Sequence, residues 1–168
     1  MSEQLDKLFR QARDRAEQMD NPELDGWMDE VRGYLDVGKM LGKSVNFEQP
    51  NTIRRAQRAL SAMEARLDRV VALHHDAKRV LQILASVEFQ LIGAMTRQQV
   101  IPSKATGPAQ QQAIATAVPK LAHVRTRWEA LDIVCTQAQR RIASAKESIK
   151  MQSSLDDNLR WAQYRDPG

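Results

Sequence analysis

One cysteine in 168 residues, Cys135, leaves no internal disulfide and no CxxC metal pair, so a reducing interior such as a cytoplasm is the expected setting. There is no run of about 18 apolar residues, and the opening MSEQLDKLFRQ has neither a basic n-region nor an apolar h-region. The chain is therefore expected neither to span a membrane nor to carry a secretion signal. Aromatics make up 5% of the residues and mean hydropathy is −0.53. So thin a supply of rings suits long helices packing along a seam. No Gly-rich phosphate loop, Walker pattern or HExxH motif is present. Adjacent His74 and His75 do not share a helix face, and neither they nor His123 have a Glu at ligand spacing. Cys135 lies on an apolar seam with no positioned base. The chain is read as a non-enzyme without metal or cofactor.

What is present is helical periodicity. Leu5, Leu8, Phe9, Ala12, Ala16 and Met19 recur at three- and four-residue intervals, which predicts an amphipathic helix over 3–19. A second helix is expected from Pro22, capped by Asp20 or Asn21, with Leu24, Trp27, Met28, Val31, Tyr34 and Leu35 inward. Gly38 and Gly42 mark its end near residue 41, and 42–50 reads as a linker. From 51 to 98 there is no proline, and Gly93 is the lone glycine. Alternating steps of three and four run from Ile53 to Met95, interrupted only by His74 and Glu88. Such a seam predicts a coiled-coil-like helix of roughly 70 Å. His74 is expected as a buried registry residue or a hydrogen-bonded polar notch.

Residues 99–108, with Pro102, Gly107 and Pro108, read as a flexible connection. Over 109–168 a short helical piece is followed by Pro119 and a second seam from Leu121 through Trp128, Leu131, Cys135 and Ala138 to Ile142 and Ile149. Ser153-Ser154 and Asp156-Asp157 suggest a fresh N-cap and a short last helix carrying Leu155, Leu159 and Trp161. The expected fold is all-α: a long antiparallel helical hairpin or coiled-coil-like bundle with a small helical pair over 1–41. Seams this long argue for self-association, with Leu60, Leu67, Leu81, Leu84, Leu91, Trp128, Leu131 and Ile142 as the oligomer seam.

Charge is unevenly spread. Residues 1–50 hold seven Lys/Arg and eleven Asp/Glu, while 51–168 hold 18 and 10, so an acidic head at −4 precedes a basic body at +8. On a helical wheel Arg55, Arg58, Arg66 and Arg69 share a wedge of about 80°, roughly 120° from the seam centre. Arg54 widens this stripe, and the second seam adds Lys120, Arg125, Arg127, Arg140, Arg141, Lys146 and Lys150. These twelve are the candidate nucleic-acid contacts. Each neutralised phosphate releases condensed counterion and gives sequence-blind, salt-dependent affinity, and arginine also forks onto phosphate and stacks on bases. No zinc finger, aromatic RNA-binding sheet or base-reading helix is evident. The competing account pairs these arginines with carboxylates, including those of the acidic head.

The run Trp128-Glu-Ala-Leu131-Asp-Ile-Val-Cys135-Thr-Gln-Ala138, continuing to Ile142 and Ile149-Lys150, resembles the C-terminal helix of the UvsY-type recombination mediators of tailed phages. Ala65-Arg66-Leu67-Asp68 is similar to that family's basic Lys/Arg-Leu-Asp element, here in mid-helix. The likeness covers 121–152 in residues and 51–152 in layout; residues 1–50 are an addition. It implies a ring-forming homo-oligomer in the host cytoplasm that binds single-stranded DNA and contacts a recombinase and a single-strand-binding protein. Two readings stay open at this point. One is a recombination mediator that helps load a recombinase onto single-stranded DNA. The other is a helical structural or adaptor protein, of virion-assembly or scaffold type, whose basic body binds an acidic protein partner.

Overall fold

The computed structural model describes residues 2–36 and 52–165, with side chains described over 2–36 and 58–151. The chain is all-helical: the described residues form α1 (Glu3–Met19), α2 (Leu24–Tyr34), α3 (Thr52–Arg97), α4 (Gly107–Ala117) and α5 (Pro119–Arg165), with no strand among them. The linker expected at 42–50, Gly38 and Gly42, and the side chains of Ile53, Ala56, Leu155, Leu159 and Trp161 lie outside what is described.

Local chemistry sets the helix ends. Ser2 caps α1, its Oγ accepting from Leu5 N at 3.3 Å, with Glu3 and Asp6 in the first turn facing the positive end of the helix dipole. Asp20 is the C-cap of α1 and not an N-cap of α2. The side chain of Asn21 accepts from Glu23 N at 2.9 Å, and its carbonyl accepts from Leu24 N. Pro22 therefore sits in a turn, and α2 begins two residues later than its proline suggested. Thr106 caps α4, accepting from Ala109 N, and α5 restarts at Pro119, a position with no use for a backbone N–H. No proline or glycine follows until Pro167, so α5 continues through Ser153-Ser154 and no separate last helix forms.

The exit of α3 is a Schellman motif. Val100 N donates to the Met95 carbonyl at 2.9 Å and Gln99 N to that of Thr96 at 3.1 Å, with Gln99 at φ 58°. Ile101 is then buried with Leu5, Ala94 and Met95. The 99–108 connection, expected to be flexible, is thus anchored by a core side chain.

The chain divides into two units: unit 1 is Met1–Met28 with His74–Ile133, and unit 2 is Asp29–Leu73 with Val134–Gly168. In unit 1 the core takes Ala12 and Ala16 of α1, Ala77, Val80, Leu84 and Leu91 of α3, Ile114 of α4, and Leu121, Val124, Trp128 and Leu131 of α5. In unit 2 it takes Val31, Met63, Val70, Leu73, Cys135, Ala138, Ile142 and Ile149. Contacts in unit 1 run antiparallel between α3 and α5: His74 Nε2 stands 2.7 Å from Asp132 Oδ1, and Glu88 meets Arg125 at 3.5 Å.

Two expectations about the seams change. Leu73 and Val80 are buried where His74 and Leu81 were expected, while Leu60, Leu67 and Leu81 are half-buried. A helix flanked by more than one partner buries a stripe wider than two heptad positions. Leu84, Leu91, Trp128, Leu131 and Ile142, expected at an oligomer seam, are at most 4% exposed inside a single chain. Their burial therefore supplies no argument for self-association.

Candidate nucleic-acid interface

The two units differ in charge. Unit 1 holds eleven basic and eleven acidic residues, and unit 2 holds 14 and 10, so the whole net charge of +4 resides in unit 2.

In unit 1 every predicted contact residue is engaged internally. Asp20 receives Lys120 Nζ at 2.6 Å and Arg127 Nη1 at 2.5 Å, and Arg127 also reaches Asp25 at 3.4 Å. The hydrogen bond from Lys120 first, and the charge and hydrogen bond of Arg127 after it, hold the Asp20 carboxyl below the ordinary aspartate range against the opposing effect of burial. Beside it the Trp128 indole donates to the carbonyl of Met19 at 2.8 Å, satisfying one of the last carbonyls of α1. Its ring lies tilted at 59° to that of Trp27, centroids 6.3 Å apart. Arg125 bonds Glu129 at 2.9 Å and the side-chain oxygen of Gln111, and its guanidinium lies 3.5 Å from Glu88 Oε1 as an ion pair without a hydrogen bond. Glu88 is 5% exposed and also accepts from Gln111 Nε2 at 3.3 Å. A buried carboxylate requires such partners. Lys120, Arg125 and Arg127 therefore hold unit 1 together.

Unit 2 is organised differently. Arg69 forks onto Glu30, Nε to Oε1 at 3.1 Å and Nη2 to Oε2 at 3.4 Å. Tyr34 donates to the same carboxylate at 2.7 Å, and the Arg66 guanidinium lies over the Tyr34 ring at 5.4 Å. Arg69 and then Tyr34 hold the Glu30 carboxyl below its usual range, while burial and then the bond to Glu30 push the Tyr34 phenol up. Arg141 donates to the Leu35 carbonyl at 3.3 Å. Lys146 meets the exposed Glu64 at 3.3 Å, and Lys150 lies 3.8 Å from Glu147. Arg58 and Arg140 are exposed with no partner among the described residues. The side chains of Arg54 and Arg55 lie outside what is described.

No protein-family model, curated protein or solved structure matches the chain. Among the described residues no group of three or more His, Cys, Asp or Glu side chains is placed to hold a metal ion, and no helix is long and apolar enough to cross a membrane.

Of the four wedge arginines, Arg58 stands open while Arg66 and Arg69 meet α2. The residues that sequence reading missed are Glu30 and Tyr34. They lie one helical turn apart on α2, and that i,i+4 spacing is the available signal; the apolar periodicity alone reads Tyr34 as an inward position.

Proposed function

We propose that the chain binds single-stranded DNA through the basic surface of unit 2 and acts by binding, not by catalysis, as an accessory factor that helps load a recombinase. The observation that carries this reading is the concentration of the surplus positive charge in unit 2, where Arg58 and Arg140 are exposed without partners among the described residues. Arg141 and Lys150, each exposed and held by a single weak contact, are further basic groups of unit 2. Sequence-blind phosphate contact suits this chemistry, since guanidinium and ammonium groups recognise the backbone and not the base edges. Contact with a recombinase and a single-strand-binding protein, a cytoplasmic setting, and a ring of coiled-coil-like hairpins belong to this reading through the UvsY-type resemblance. Measuring particle mass with and without an oligonucleotide tests the assembly.

The direct test is anisotropy of a labelled oligothymidylate across a salt series. Four phosphate contacts predict a log–log slope of about −3 for a single strand. Arg58→Glu with Arg140→Glu should flatten that slope and weaken binding at least tenfold, whereas Lys78→Glu, an exposed change in unit 1, should leave both near wild type. Affinity indifferent to salt, or no binding at low salt, would overturn the reading.

A second reading is favoured by one observation: Lys120, Arg127 and Arg69 already hold carboxylates of their own chain. The basic body is thus complementary to an acidic helix, as an adaptor for an acidic protein would be. Partners that remain bound after nuclease treatment, in a protein that fails the salt test, would favour it.

A further inference from the structure

Within unit 2, residues 29–36 present to α3 and α5 the chemical groups that a nucleic-acid strand would present. The Glu30 carboxylate accepts the Arg69 fork as a phosphate would. The Tyr34 ring lies under the Arg66 guanidinium at 5.4 Å, where a base would stack. The Leu35 carbonyl takes an Arg141 N–H that a phosphate oxygen would take. With Asp29, Glu30 and Asp36 against Arg32, the segment is itself acidic. We propose that residues 29–36 are an intramolecular mimic of a strand, occupying the guanidinium groups of Arg66, Arg69 and Arg141 until single-stranded DNA displaces them.

This rests on the reading of unit 2 as a strand-binding surface and adds its regulation. Displacement needs a segment that is seated but not locked, and the anchoring fits that requirement. Val31 is the segment's one fully buried apolar side chain, Tyr34 and Leu35 are half-buried, and the remaining contacts are polar groups that a strand would replace one for one. Gly33 weakens the helix further. A Cβ built there meets nothing within 4 Å, so packing does not require glycine and its effect is to lower helix propensity. By contrast, Asp20 and Trp128 hold the preceding corner within unit 1 by shorter bonds. Opening from Asp29 onward therefore leaves that corner intact.

The test uses the full chain, a labelled oligothymidylate and two substitutions with opposite expected effects. Glu30→Gln keeps the shape and removes the phosphate-like charge; it should tighten binding about three- to tenfold. Gly33→Ala leaves the charge unchanged and stabilises the covering helix; it should weaken binding about threefold, a direction that net charge does not explain. Hydrogen exchange on the wild type supplies a readout independent of either variant: amides of 29–36 should lose protection when the oligonucleotide is added. Wild-type binding with Glu30→Gln unchanged or weaker, or with 29–36 still protected, overturns the mimic and leaves the strand-binding reading standing. Binding by Glu30→Gln but not by wild type supports it. No binding by any of the three proteins at low salt removes both.

Discussion

Asp20 is the carboxylate on which the most cationic partners of unit 1 converge, and Asp20→Asn isolates what that convergence is worth. The asparagine keeps the size and the backbone N–H that bonds the Glu17 carbonyl, so the C-cap of α1 is preserved. It loses the charge facing Lys120 at 2.6 Å and Arg127 at 2.5 Å. The three side chains are 24%, 34% and 20% exposed, intermediate between the screened surface pair and the buried one. Each pair is then worth about 0.5–1 kcal/mol. The two share one acceptor and are not additive, and the asparagine oxygen still accepts one hydrogen bond. A net loss of about 1 kcal/mol follows, or about 2–4 °C in melting midpoint for a chain of this size.

The pH dependence of that loss is the sharper test. Because the folded-state pKa of Asp20 lies below its unfolded value, its stabilisation is complete above the ordinary aspartate range and fades as pH falls through the lower, folded value. Urea unfolding followed by circular dichroism should separate wild type and Asp20→Asn at about pH 7 and bring them together as the pH approaches about 2. A separation below about 0.3 kcal/mol at neutral pH would refute the argument. So would one that persists undiminished in acid, because the effect would then not belong to an ionised carboxylate.

Two further changes probe single contacts. Gln99→Gly, at the left-handed position that closes α3, relieves a conformation that costs an L-residue about 1 kcal/mol, so the thermal midpoint should rise by about 2–4 °C. Arg125→Met leaves the buried Glu88 carboxylate with Gln111 as its remaining partner; stability should fall by about 2 kcal/mol, and Glu88→Gln in the same chain should restore much of it. The first is read by thermal melting and the second by chemical denaturation.

The all-helical character was legible because apolar residues recur at three and four over long stretches without proline. The line Met63, Val70, Ala77, Leu84, Leu91 can be read from the heptad alone. Leu73 and Val80 can not, because their burial depends on a further helix packing beside the seam, and a one-dimensional period does not record how many neighbours a helix has. Ser153-Ser154 misled for a related reason. Serine and aspartate offer the backbone a local alternative to the helix, but that preference is weak beside an uninterrupted run without proline or glycine. The aligned arginines were visible by wheel arithmetic, yet their allegiance was not. Lys120 and Asp20 are 100 residues apart and Arg127 and Asp20 are 107, and no local pattern connects them. Opposite net charges of head and body were a hint that the two meet, without naming which residues would.

The burial pattern also bears on what the UvsY-type resemblance is evidence of. Its marks on α5 are Trp128, Leu131, Cys135, Ala138, Ile142 and Ile149, exposed by 4%, 0%, 0%, 0%, 0% and 2%, and Lys150, which is exposed. Six of the seven are interior. Trp128 spends its indole N–H on Met19 and its ring on Trp27, so it is not available to stack on a base. A likeness carried by interior residues concerns how one helix packs, and packing is shared among proteins of unrelated function. Strand binding falls to the exposed cations of unit 2, Arg58 and Arg140 first, and then to Arg66, Arg69 and Arg141 once residues 29–36 move aside.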